Sequence, residues 1–183
     1  MSFAEFTLET LEQRMPPPAA QRIAGLPTGH TLDGLLHIVT PELLDEPLAQ
    51  WLGGVDQSRT PFARTAFGDM IYVRDLRERA RSLGLDAETA RTAHDVSMVD
   101  VRYKRTKLLG TSVGSFLAKL AVPEWVASEL DKGLYDAAVD RLGPPAFEEI
   151  YAFVPALALG GAENPDNLQR QRADVALNIL FQL

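Results

Sequence analysis

The chain has 183 residues, of which 46% are hydrophobic and 23% charged, with a formal net charge of -7 and no cysteine. That length supports one good core, or two small subdomains sharing an interface. Disulfides, thiolate metal sites and a cysteine nucleophile are excluded, and the acidic balance disfavours general nucleic-acid binding, which depends on neutralising phosphates.

No apolar run reaches the ~18 residues that a spanning helix needs. The amino terminus carries Glu5, Glu9 and Glu12 and lacks a basic-then-apolar export pattern, so a cytoplasmic location and no membrane partner are expected.

Ser2 and Glu5 have the spacing of a capping box, and Phe3, Phe6 and Leu11 line one face of the helix that follows. Met15 to Pro18 ends that helix, and the proline run reads as a rigid spacer. Gln21 to Asp33 reads as an irregular lead-in. Gly34 to Val39 is short, apolar and β-branched, hence a strand. Thr40-Pro41-Glu42 has helix-start chemistry. Leu43, Leu44, Leu48, Trp51 and Leu52 supply a helical stripe that Pro47 can split. After a polar loop to Pro61, residues 62 to 74 predict two strands about a turn at Gly68-Asp69. Arg77 to Ala93 is polar and weakly helical. Val96 to Tyr103 and Lys107 to Leu109 predict two more strands joined by a basic turn.

The character then changes. Phe116, Leu117 and Leu120 mark an amphipathic helix. Val126, Leu130, Leu134, Ala138 and Leu142 recur every four residues on one helical face, with a break expected at Gly133. Glu148 to Gly161 is the longest stretch with almost no charge. Its first half reads as a buried strand, Pro155 should stop the pairing, and Gly160-Gly161 should turn the chain. Asn164-Pro165 should open a last helix with Leu168, Val175, Ile179, Leu180 and Leu183 buried. Strands first and helices later predict an α+β fold: a small central antiparallel sheet with flanking helices and a helical carboxy-terminal part. Residues 1–183 read as one compact unit, with a strand-containing part to 110 and a mainly helical part from 111.

Gly110-Thr-Ser-Val-Gly114 matches the G-x-S-x-G elbow of serine hydrolases. However, His30, His37 and His94 all precede Ser112, whereas that fold places its histidine last, so a helix cap is the favoured reading. His94-Asp95 could be an oriented base but has no nucleophile beside it. No metal-ligand set, phosphate loop or dinucleotide fingerprint is present, and no cofactor is expected. Arg74, Arg77, Arg79 and Arg81 form one basic cluster, and Arg102, Lys104, Arg105 and Lys107 another. Arg102 and Lys104 alternate with Val101 and Tyr103, which predicts a solvated sheet face. Glu124, Asp131, Asp136 and Asp140 crowd the polar faces of the helical region and are the candidate partner-binding residues.

Three stretches carry a family resemblance: residues 61 to 69, residues 112 to 117, and residues 149 to 161, which end in Leu-Ala-Leu-Gly-Gly161. With the closing helix they resemble the type VI secretion immunity family, in which a GAD-related amino-terminal part (here to residue 110) precedes a characteristic carboxy-terminal domain. The resemblance implies a non-enzymatic bacterial antitoxin that neutralises a cognate secreted effector, expected to be a basic nuclease. The motif residues Phe67, Gly68, Phe153, Pro155, Leu157, Gly160 and Gly161 are expected to be structural. The competing reading is a small hydrolase using Ser112, or a small-ligand domain using His94 and the basic sheet face.

Overall fold

The protein was analysed as a computed structural model, which describes residues 7–90 and 92–183. The Ser2–Glu5 capping box, with Phe3 and Phe6, lies outside the described residues.

Helix α1 (Leu8–Glu12) starts at Thr7, whose hydroxyl accepts the Thr10 N–H, and it buries Leu11. The proline run that follows is not a spacer. Pro17 is the first residue of α2 (Pro17–Ala24), a position where the missing N–H costs nothing, and Ala19, Ala20 and Ile23 of this helix are fully buried. Strands β1 (Gly29–Thr31) and β2 (Leu36–Ile38) form a hairpin around a 3₁₀ turn. A second 3₁₀ turn over Pro41–Leu43 leads into α3 (Asp45–Trp51). The break in this stripe falls at Leu44 and not at Pro47. As the third helical residue, Pro47 replaces an N–H that has no intrahelical acceptor in any case.

Strand β3 (Arg59–Thr65) turns into β4 (Met70–Asp75), which runs into α4 (Leu76–Ser82). Strands β5 (His94–Asp100) and β6 (Arg105–Gly110) complete a six-stranded antiparallel sheet in which each strand pairs with the next in sequence. The turn between β3 and β4 depends on Gly68. Its φ is +90°, and a Cβ there would lie 2.9 Å from Ile150 Cδ1 and 3.1 Å from Leu177 Cδ2.

The sheet separates two cores. Along β4 the side chains alternate: Ile71 and Val73 join one core and Met70 and Tyr72 the other. The larger core takes α1, α2 and the helices that follow β6, namely α5 (Val113–Leu120), α6 (Pro123–Glu129) and α7 (Lys132–Leu142). Val126, Leu130 and Ala138 are buried there as expected. The helical break comes at Asp131 (φ 54°), two residues before Gly133, which lies inside α7.

The uncharged stretch forms β7 (Glu149–Phe153), with Ile150, Tyr151, Ala152 and Phe153 all buried. Pairing stops before Pro155, as predicted. The apolar run does not stay inside, however: Leu157 is only partly buried and Leu159 is 64% exposed. Gly160 takes φ +82°, and a Cβ on Gly161 would lie 2.0 Å from the Pro155 carbonyl oxygen, so the Gly-Gly turn folds tightly back on Pro155.

Asn164-Pro165 opens a 3₁₀ turn rather than the last helix. Leu168 then begins strand β8 (Leu168–Arg172), which pairs antiparallel with β7. The last helix, α8 (Ala173–Gln182), buries Ala173, Ala176 and Leu177, while Val175, Ile179 and Leu183 of the expected stripe are 49%, 49% and 41% exposed. Residues 168–172 form β8, so the helix begins only at Ala173. Helix α8 packs beside α3 on the second face of the sheet. Among the described residues no helix is long and apolar enough to cross a membrane.

Candidate partner-binding surface

The four acidic candidates lie on α6 and α7 or between them, and the structure divides them. Glu124 in the first turn of α6 and Asp140 on α7 are exposed and form no ion pair with a described residue. Asp136 pairs with Lys132 one turn before it. Asp131 turns inward and accepts a 2.7 Å hydrogen bond from Arg102 Nη2. Glu124, Asp136 and Asp140 are thus exposed, while Asp131 is committed to an internal contact.

That contact corrects the reading of Arg102 as a solvated sheet residue. Strand β5 ends at Asp100, so residues 101–104 are a turn and strand alternation does not apply. The Arg102 side chain is 3% exposed. Its Nη2 also donates to Asp69 Oδ2 at 3.2 Å, and its guanidinium stacks 4.4 Å from the centre of the Phe67 ring. Asp69 further accepts the Thr65 hydroxyl at 2.9 Å and the Val101 N–H at 3.1 Å. Burial pushes the Asp69 carboxyl above its ordinary range, and Arg102 opposes this. Burial likewise works against the charge on Arg102, yet Asp69 and Asp131 hold it above the usual arginine value. The network joins the β3–β4 turn, the β5–β6 turn and the start of α7. The rest of the basic residues are largely paired too: Arg74 with Asp95 (2.5 Å), Arg79 with Asp56 (3.4 Å), Arg81 with Glu78 (3.1 Å) and Arg105 with Asp100 (3.0 Å).

The G-x-S-x-G stretch is a helix start. Ser112 is the N-cap of α5, its hydroxyl accepts the Ser115 N–H at 3.0 Å, and Ser115 Oγ accepts the Ser112 N–H at 3.1 Å. His94 reaches the same turn, where its Nε2 accepts the Val113 N–H at 3.2 Å. Burial lowers its pKa, which favours the neutral ring that can accept this bond. Both side chains are therefore occupied with orphan helix N–H groups. Ser112→Ala is expected to cost about 0.5–2 kcal/mol of stability, measured by denaturant titration. Fluorophosphonate labelling that disappears in the variant would instead reveal a nucleophile.

His37 lies in β2 with its ring centre 4.0 Å from that of His30, and its Nε2–H donates to the Gly34 carbonyl at 3.0 Å. Burial lowers its pKa to about 4, with His30 and Arg64 adding to the effect, so the ring is neutral near pH 7. Among the described residues no group of three or more histidine or acidic side chains is placed to hold a metal ion.

The molecule is thus an α+β protein, a six-stranded antiparallel meander with helices on both faces. Residues 111–183 match the family model described as T6SS immunity protein Tdi1, C-terminal. In fold, the chain is similar to the crystal structure of Atu4351 from Agrobacterium tumefaciens, with a TM-score of 0.69 and 19% identity over 98% of this chain and 81% of that one. Comparison with curated proteins returned no match.

Proposed function

We propose that the protein is a non-enzymatic immunity protein that binds a cognate effector, a basic nuclease, stoichiometrically and blocks it in the bacterial cytoplasm. The carrying observation is the family match over residues 111–183. We extend the same reading to the amino-terminal part as a GAD-like scaffold. The capping roles of Ser112 and His94 support a mode of action without chemistry. A nuclease needs a basic groove for phosphates, and a chain of net charge -7 with Glu124, Asp136 and Asp140 facing outward suits such a groove. Buried apolar anchors supply more affinity than rim charges, so these residues act mainly on the encounter rate.

The test is co-expression with the adjacent effector gene: cells should survive only when this protein is present, and a 1:1 complex should be recoverable. Equal killing with and without it, and no complex at low salt, would overturn the reading for that pair. Reversing Glu124, Asp136 and Asp140 together to lysine is expected to slow association about tenfold at low salt and flatten its salt dependence. Stopped-flow binding at two ionic strengths measures both. Asp131 remains a candidate, but its reversal would also disturb Arg102 and is a poor probe of binding alone.

A further inference from the structure

Among the described residues two arginines are buried, and the fold treats them differently. Arg102 is surrounded by the carboxylates of Asp69, Asp100 and Asp131. Arg64, on β3, is 7% exposed and forms no ion pair with any described residue. Its Nη2 donates to the Phe147 carbonyl at 2.5 Å, its Nε is buried without a hydrogen-bond partner, and its guanidinium carbon lies 5.9 Å from the centre of the Phe147 ring. Glu148 attracts it electrostatically without reaching ion-pair contact. Burial lowers the Arg64 pKa to about 10, which leaves the guanidinium cationic near neutrality. A buried, uncompensated guanidinium is costly, and an anion that completes its hydrogen bonds would remove much of that cost.

Arg64 lies on the wall of a cavity of about 270 Å³. The remaining wall is largely apolar, with Val39, Leu44, Phe147 and Leu177, and Glu148, Arg172 and Asp174 stand around it. Arg172 is already paired with Asp174 at 2.8 Å. One unpaired cation, apolar walls and acidic neighbours suit a small monoanion with a short apolar tail and disfavour a phosphate dianion. The volume is near the lower end for small-molecule sites, which also points to a ligand of few atoms.

We infer that the Arg64 cavity is a binding site for a short-chain organic carboxylate, held by the guanidinium fork with its alkyl tail against Phe147 and Leu177. This site is on the second face of the sheet and is independent of the immunity reading.

The test uses the full chain and sodium butyrate, with butyramide as the neutral isostere and sodium chloride and sodium phosphate as ionic controls. Butyrate is expected to shift the Arg64 Nε–H resonance saturably at millimolar concentration and to raise the melting temperature, and the controls to do neither. Arg64→Met, checked for folding by circular dichroism, should weaken butyrate binding at least tenfold. Glu148→Gln, at an exposed position that leaves the core untouched, should tighten it a few-fold by removing a competing carboxylate. No saturable shift in the native chain, an equal response to butyramide, retained affinity in Arg64→Met or weaker binding in Glu148→Gln would each overturn the assignment. None of these results depends on whether an effector is neutralised.

Discussion

Arg102→Ala is expected to destabilise the protein by about 3–5 kcal/mol, because it leaves the buried Asp69 carboxylate without its cation. Asp69 is 1% exposed, and Arg102 is the cation placed between it and Asp131, whereas the buried Asp100 keeps Arg105 at 3.0 Å. A loss of that size is a large share of the ~5–15 kcal/mol that holds a typical domain. Urea denaturation measures it, and a loss below about 1 kcal/mol would show that water or neighbouring bases replace the guanidinium. The pair Asp69→Asn with Arg102→Met should recover much of the loss, since the charge and its counter-charge leave together. Asparagine is chosen because its Oδ1 still accepts the Val101 N–H, while the Thr65 hydroxyl that donates to the second carboxylate oxygen loses that acceptor, so the recovery is incomplete.

Phe153→Ala should cost about 3–5 kcal/mol by opening a cavity in the larger core. Phe153 is 4% exposed and stands opposite the fully buried Leu168 at the end of the β7–β8 ladder. Truncation therefore removes buried area where a hairpin of only two strands meets the helices. Leu159→Ala, six residues on in the same uncharged stretch, should stay within about 0.5 kcal/mol because that side chain is 64% exposed. The denaturation midpoints of the two variants together decide the matter. Equal shifts would mean that burial along this stretch is not as described.

The contrast between Phe153 and Leu159 also shows where hydrophobicity stops being informative. From Ile150 to Phe153 apolar character and burial coincide, because a strand buried on both sides reads as a continuous apolar run. Beyond Pro155 the same composition continues over a 3₁₀ turn at the surface. Composition alone has no term for which side of a turn meets solvent. Leu168 was misplaced for a related reason: Asn-Pro is a turn signal, and helix and strand both follow turns. The partner strand β7 decides between them.

The residues by themselves determined the α+β class, the strand-then-helix order and the cap at Ser112. Each depends on local chemistry: β-branched runs, four-residue periodicity, and a hydroxyl placed to accept a free N–H. The family resemblance was likewise legible, in short stretches such as the Leu-Ala-Leu-Gly-Gly turn ending at Gly161. Only the tertiary structure decided the fate of the charges. Arg102 looked solvent-facing and is buried, Asp131 looked like a partner contact and closes an internal network, and Arg64 gave no signal at all. A charge pair joins residues as far apart as Asp69 and Arg102, and no local periodicity reports such a contact. Whether a guanidinium is compensated depends on which distant carboxylates the packing brings within reach, and that is a property of the assembled sheet and helices.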